Sequence, residues 1–181
     1  MVLTKEQRIA VSILNKTVLV LTLSIVLLAG FGPEAQAQIP KEGTYSVTNT
    51  FSGTYKALRM GQERVQITYE AIGVSLSDTG EGLSHNTSWR CIGALHAVKG
   101  EYNDDSGFCA VIRPDGDQYF LTYKVAGKLG GVGKGTETLV GGTGKLVGIQ
   151  GSGEFTRFSL RSAAEGTFQG YEKAKLQYKL P

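Results

Sequence analysis

Residues 44–55 read TYSVTNTFSGTY, and the alternation in this stretch decides the fold. One face of the stretch collects Tyr45, Val47, Asn49, Phe51, Gly53 and Tyr55, and the other collects the hydroxyl residues Thr44, Ser46, Thr48, Thr50, Ser52 and Thr54. A period of two over this length is typical of a β-strand with one buried face. We therefore predict a strand over residues 44–55.

Seven further runs have β-like patterns, and turn-forming residues separate them. The runs cover residues 64–76, 87–98, 108–113, 118–125, 136–140, 145–160 and 166–180. The clearest predicted turns are residues 103–107, 114–117 and 141–144, because Gly, Asn and Asp tolerate positive φ and Pro presets φ. No segment after residue 37 shows a sustained helical period. This pattern predicts an all-β domain with eight short antiparallel strands.

Such a domain is either a sandwich or a closed barrel. The chain contains 25 glycines, and a strongly coiled sheet turns its corners at glycine kinks and bulges. The glycine content therefore favours a small, closed or nearly closed, eight-stranded antiparallel barrel.

The second run changes its apolar face beside Gly73. In its first half the apolar residues Val65, Ile67 and Tyr69 lie on one side of the strand, and in its second half the apolar residues Ile72, Val74 and Leu76 lie on the other side. A change of face beside a glycine indicates a bulge or a bend.

Residues 1–37 have the layout of a signal peptide, and the barrel domain follows over residues 38–181. A basic region with Lys5, Arg8 and Lys16 leads into the uncharged residues 17–31, and the small-residue pattern 35–37 (AQA) follows. An uncleaved anchor is the alternative, but spanning a bilayer takes about 20 apolar residues and this run is shorter. We expect cleavage after Ala37 and a periplasmic or secreted domain that no longer contacts the membrane.

Residues 38–181 form a chain long enough to bury one hydrophobic core, and a length of this size indicates one domain and not two. They hold 16 basic and 14 acidic residues in a dispersed arrangement, so their charge does not indicate binding to nucleic acid. Lys173, Lys175 and Lys179 recur at even spacing in the last predicted strand, which is typical of a solvated face.

Both cysteines, Cys91 and Cys109, lie in the exported part of the chain. Thiols in an oxidising compartment tend to pair, so a disulfide is predicted. The alternative is a nucleophilic cysteine, which needs an exposed thiol of low pKa. Neither cysteine has neighbours in the sequence that single it out for that role.

The glycine-rich residues 127–153 contain no phosphate-binding motif. Gly133-Lys134 and Gly144-Lys145 lack the Ser or Thr and the upstream Gly of a P-loop, and no helical pattern follows them. The two histidines, His85 and His96, are not spaced as structural zinc ligands are. We expect no cofactor and no metal.

The last strand places a carboxylate on its apolar face. Phe168, Gly170, Glu172, Ala174, Leu176, Tyr178 and Leu180 share that face. A carboxylate inside a barrel is costly unless it is paired or neutral, and such groups cluster at functional sites. Asn49 is a second polar residue on an apolar face, and Arg157 is a candidate counter-ion. The alternative is that Glu172 lies at the rim and faces solvent.

Residues 133–136 (GKGT) and 141–153 (GGTGKLVGIQGSG) resemble a late hairpin of exported bacterial proteins of the allene oxide cyclase barrel-like or dirigent-like superfamily. The resemblance implies an eight-stranded, lipocalin-like antiparallel barrel. It also implies a homo-oligomer, since the plant relatives are often oligomeric. The plant members isomerise a fatty-acid epoxide or steer the coupling of phenoxy radicals. Their cavity residues do not match this sequence position by position, so the resemblance implies a fold and no activity.

Three functions suit such a barrel. The preferred hypothesis is a binding protein that is not an enzyme and holds a small apolar or amphipathic ligand, because eight strands leave room for one small molecule. The candidate ligand-binding residues are Glu172, Asn49, Tyr45, Phe51, Trp89 and Phe168, and Tyr119 is a further aromatic candidate. One alternative is a cofactor-free isomerase or cyclase that acts on a lipid-like substrate around Glu172 and Asn49. The other is a structural or assembly protein with a filled barrel.

Overall fold

The computed structural model describes residues Ile39–Pro181. The predicted signal peptide and its cleavage site at Ala37 lie outside the described residues. Within the described residues, no helix is long and apolar enough to span a membrane.

The described chain forms eight strands and one short helical turn. The strands are β1 (Glu42–Arg59), β2 (Arg64–Ser77), β3 (Thr87–Val98), β4 (Glu101–Ile112), β5 (Gln118–Lys128), β6 (Val132–Gly142), β7 (Gln150–Leu160) and β8 (Thr167–Lys179). A 3-10 helix, Gly144–Leu146, connects β6 to β7. The seventh strand therefore begins at Gln150 and not at residue 145 as the sequence pattern predicts.

Each strand pairs with its neighbours in the chain, and β8 pairs with β1 to close the barrel. All pairings are antiparallel. The predicted all-β, eight-stranded closed antiparallel barrel is confirmed. Its interior receives every second residue of each strand, since successive side chains point to opposite faces.

The two ends of the barrel differ. At one end, Leu83 in the β2–β3 loop and Leu146 and Ile149 before β7 are almost fully buried. Arg113 donates a hydrogen bond to the Leu83 carbonyl oxygen at 2.6 Å and holds that loop in place. We call this end the closed end. The opposite end carries the short β1–β2, β3–β4, β5–β6 and β7–β8 connections and opens into a cavity.

Cys91 and Cys109 form a disulfide bond, as predicted. The two residues are directly opposed across β3 and β4. A turn at Lys99 and Gly100 brings them together, since β3 ends at Val98 and β4 begins at Glu101.

Residues 103–107 are not a turn, so that prediction is wrong. They lie within β4. The pairing of β4 with β5 shifts between Tyr102 and Asp105, and the pairing of β4 with β3 shifts between Ala94 and Val98 of β3. A β-bulge, in which β4 has one extra residue, produces such a shift, and bulges contain the same small polar residues as turns. The Asp104 carboxylate accepts a hydrogen bond from the backbone N–H of His96 at 3.0 Å. The bulge lets both Tyr102 and Asp105 face inward.

The predicted bulge beside Gly73 is also wrong. The register of β2 with β1 and with β3 continues unbroken through Gly73. Ser75 and Ser77 keep the inward phase, while Ile72 lies on the outside with 57% of its surface exposed. The sequence pattern misled because this outer face of the barrel is apolar and the inner positions are small and polar.

Inward-facing glycines make room for large rings in this narrow barrel. Gly73 lies beside Trp89, and a Cβ atom at Gly73 would be 2.6 Å from Trp89 Cε2 and would also collide with the Thr50 carbonyl oxygen. Gly53 lies in the same way beside Phe168, whose Cζ would be 2.6 Å from an added Cβ. Rings on one strand therefore lie over glycines on the next, an arrangement also used in designed sheets.

We predict that Gly73→Ala destabilises the fold by about 2 kcal/mol, because overpacking a rigid core displaces the indole ring and the backbone. Urea unfolding followed by the emission of Trp89, the only tryptophan of the chain, measures the change. Gly131→Ala is the matched control, since an added Cβ there meets nothing closer than 3.4 Å. Equal stability of the two variants would contradict the packing argument.

Candidate functional site

The barrel interior holds two adjoining cavities. The inner chamber, of about 60 Å³, lies toward the closed end. The mouth cavity, of about 400 Å³, lies at the open end. Phe51, Tyr69, Arg157 and Phe168 line both cavities and so mark the boundary between them.

All six candidate ligand-binding residues named from the sequence line the inner chamber, namely Tyr45, Asn49, Phe51, Trp89, Phe168 and Glu172, and Tyr119 joins them. The structure thus brings together residues from β1, β3, β5 and β8. Glu172 is 9% exposed and faces the interior, and it does not lie at the rim.

Arg157 lies at the centre of a buried charged cluster. Its Nε donates to Glu172 Oε1 at 2.7 Å, and its Nη1 donates to Asp105 Oδ2 at 2.7 Å. The guanidinium carbon also lies 5.6–5.8 Å from the ring centroids of Phe51, Tyr123 and Phe155. Two carboxylates and three ring faces therefore stabilise one partly buried cation.

The cluster spans the barrel. Glu172 and Arg157 are directly opposed on the adjacent strands β8 and β7, whereas Asp105 comes from β4 on the far side of β5 and β6. Burial alone would lower the pKa of the Arg157 guanidinium, but the two carboxylates raise the pKa above its ordinary value. Arg157 thus stays charged and ties separated strands together.

Two tyrosines extend the cluster. The Tyr69 hydroxyl donates to Asp105 Oδ1 at 2.5 Å and lies 2.5 Å from the Tyr123 hydroxyl. Because Tyr69 has one proton to donate, Tyr123 donates to Tyr69. Both oxygens of Asp105 accept hydrogen bonds, one from Tyr69 and one from Arg157, which suits an ionised carboxylate. Burial raises the pKa of Asp105, and burial also raises the pKa of Tyr123 to about 12.

Glu137 is a third interior carboxyl group. It lies on β6, lines the inner chamber and is 8% exposed. Within the part of the chain that the structure describes, no cationic side chain pairs with it. Burial, assisted by the charge of Glu172, raises the pKa of Glu137 to about 8. At neutral pH this group is therefore a protonated acid.

Two further polar atoms of the chamber have no hydrogen-bond partner within residues 39–181. They are the acceptor Asn49 Oδ1 and the donor Trp89 Nε1, both buried. Buried polar groups are nearly always hydrogen-bonded, so each exception calls for an explanation. Both side chains line the chamber, but the two atoms themselves have almost no accessible surface.

Aromatic rings separate the inner chamber from the mouth cavity. Phe168 lies edge-on to Tyr69 with centroids 5.5 Å apart, and it also contacts Phe51 at 6.1 Å. A molecule that reaches the chamber from the open end therefore has to cross this boundary.

The sequence analysis missed Glu137 and Asp105. Glu137 could have been found, because period two places it on the same face as the buried Leu139, the same signal that identified Glu172. Asp105 shares the inward phase of Cys109 and Val111, but the sequence pattern at residues 103–107 indicates a turn and hid the first half of β4.

No group of three or more His, Cys, Asp or Glu residues suited to a metal ion occurs within residues 39–181.

No protein-family model matches the chain, and a search of curated proteins finds no significant match. A solved structure of a pterocarpan synthase dirigent protein is similar to this chain at 10% identity, with a TM-score of 0.41. The match covers 80% of this chain and 90% of that one.

We predict that Arg157→Met lowers the free energy of unfolding by about 3–5 kcal/mol, because Asp105 and Glu172 would remain buried without their cation. Urea unfolding at pH 7 measures the loss. Arg90→Met is the control, since Arg90 pairs with Glu70 on the outer surface, where an ion pair contributes little. An equally mild effect of the two substitutions would contradict the structural role of the cluster.

Glu137 predicts a pH dependence of stability. Its pKa is about 8 in the fold and about 4.5 in an unfolded chain, so the folded state binds the extra proton between these values. Stability should therefore fall by up to about 1.4 kcal/mol per pH unit as pH rises from about 5 to 8, and level off above 8. Glu137→Gln should remove this slope, and Glu154→Gln, on the outer face of β7, should keep it. Parallel urea titrations of the three proteins at four pH values test this, and identical slopes would contradict it.

Proposed function

We propose that the protein is an exported barrel that binds one small amphipathic molecule and does not change it chemically. The observation that carries the proposal is the adjoining pair of cavities, a wide one at the open end and a small polar one beneath it. The apolar part of the ligand would occupy the mouth cavity and its polar head the inner chamber.

The mouth cavity supports the proposal by its size and lining. Its volume of about 400 Å³ lies within the range of roughly 300–1,000 Å³ usual for small-molecule sites. Its apolar lining includes Ala57, Val65, Ile67, Leu95, Leu129 and Leu160. A filled barrel, the structural alternative, would leave no such space.

The inner chamber supports a polar head group. Glu137 presents a carboxyl group to this space, and no side-chain partner among the described residues engages it. A hydrocarbon end would leave this carboxyl group unsatisfied, at about 1–3 kcal/mol. A head that forms hydrogen bonds would satisfy it.

One observation favours the second candidate, a cofactor-free isomerase or cyclase. The chamber contains a protonated acid, Glu137, and the Arg157-paired carboxylate of Glu172, and such a pair of groups can donate and accept a proton. Native mass spectrometry of protein purified from its own cells separates the two functions. The retained molecule is extracted and returned to the protein. An unchanged chromatographic retention time and fragmentation pattern supports binding, and conversion to an isomer of the same mass supports catalysis.

Export is part of the proposal. It rests on the signal-like pattern of residues 1–37 and agrees with the Cys91–Cys109 disulfide, which suits an oxidising compartment.

We predict that the fluorescent probe N-phenyl-1-naphthylamine binds in the mouth cavity and accepts energy from Trp89. Ala57→Phe places a ring in the mouth cavity and should weaken probe binding on the order of tenfold, about 1.4 kcal/mol. Leu58→Phe is the matched control, because Leu58 is the next residue of β1, lies outside the barrel and is 65% exposed. Probe binding that is absent, or equally affected by both substitutions, would refute the proposed site.

A further inference from the structure

The charges of the barrel interior indicate which head group fits. The two carboxylates Asp105 and Glu172 already engage the Arg157 guanidinium. Glu137 then stands as a third carboxyl group without a counter-ion among residues 39–181. The charged or acidic residues that line the inner chamber are Arg157, Glu172 and Glu137. Glu172 and Asp105 already neutralise Arg157. Among the described residues, an anionic head therefore finds no free cation there, whereas a cationic head finds Glu137 as a carboxyl group without a partner.

The groups around Glu137 offer it no positive charge. Tyr123 is directly opposed to it on β5, and Gly153 is opposed to it on β7. Glu172 on β8 and the hydroxyls of Tyr45 on β1 and Tyr119 on β5 lie close enough to interact with its charge. Every titratable group that faces Glu137 is therefore acidic or phenolic.

The walls of the chamber suit a cation as well. Tyr45, Trp89, Tyr119 and Phe155 are among the rings that line it. Arg157 shows the same principle within this barrel, since its guanidinium lies over the rings of Phe51, Tyr123 and Phe155. A cation over aromatic faces gains stabilisation that an alcohol does not.

A primary ammonium group has three N–H donors. The carboxyl groups of Glu137 and Glu172 are the acidic acceptors among the residues that line the chamber, and the Arg157 hydrogen bond to Glu172 uses Oε1 and leaves Oε2 unused. The chamber volume of about 60 Å³ admits a head group of a few heavy atoms and no more.

Resting on the proposed binding function, we propose that the ligand is a primary amine whose ammonium head occupies the inner chamber with Glu137 as its counter-ion. The tail extends past Phe51 and Phe168, which line both cavities, into the mouth cavity. When the ammonium binds at pH 7, Glu137 ionises and its proton passes to the buffer, so binding releases about one proton.

Isothermal titration calorimetry with three probes of equal chain length tests the proposal, namely n-octylamine, 1-octanol and octanoate. We expect octylamine to bind on the order of tenfold or more tightly than octanol, and octanoate to bind most weakly. Titrations at pH 7 in phosphate and in MOPS, which differ in heat of ionisation and carry no primary amine, should reveal the release of about one proton with octylamine and none with octanol. At pH 9.5, where Glu137 is already ionised, the release should disappear.

Variants complete the test. Glu137→Gln should abolish the preference for octylamine over octanol together with the proton release, while Glu154→Gln on the outer face of β7 should leave both intact. The amine assignment is overturned if octanol binds the unaltered protein as tightly as octylamine does, or if octylamine binds it without releasing a proton. Either result leaves the binding function standing. Failure of all three probes to bind, together with failure of the naphthylamine probe, overturns the binding function itself.

Discussion

Arg157 carries a positive charge into the middle of the barrel, and the arrangement of the interior follows from keeping that charge neutralised. Its partners come from an adjacent strand, through Glu172, and from across the lumen, through Asp105. Tyr69 on β2 and Tyr123 on β5 continue the network. The cluster therefore braces the barrel and forms the boundary between the inner chamber and the mouth cavity. Removing one partner would leave a buried charge, which is far costlier than removing the whole set.

The eight strands could be predicted from the sequence, because one buried face imposes a period of two on every strand. Glu172 was found by the same rule, and Glu137 obeys it equally. The errors have a physical cause in each case. Ile72, Val74 and Leu76 are apolar on the outside, so the second strand seemed to change face at Gly73. The β4 bulge has the composition of a turn, so the sequence pattern began that strand at residue 108, although Asp105 shares the inward phase of Cys109 and Val111.

The glycines and aromatic rings of the interior leave empty space at two heights along the barrel, namely the inner chamber and the mouth cavity. Where a ring lies over a glycine on the next strand, as Trp89 does at Gly73, the wall is thin and the ring reaches the lumen without closing it. At the closed end Leu83, Leu146, Ile149 and Leu176 fill the barrel completely. The residual space is therefore confined to the middle and the open end, where the polar groups lie. A barrel selected only for stability would not combine this space with an unpaired acid.

The first and last described strands are neighbours, and their outer ends meet at the closed end. The Leu180 N–H donates to the Lys41 carbonyl oxygen at 2.6 Å, and Lys41 Nζ donates to the Pro181 oxygen at 3.1 Å. Because every strand pairs with its chain neighbours and the ring is closed, no strand is topologically first. The barrel is thus suited to circular permutation, with residues 39 and 181 joined by a short linker and the chain reopened at Gly116 in the β4–β5 turn. The new termini would again lie opposite the mouth, so that a fused reporter would leave the entrance to the cavity free.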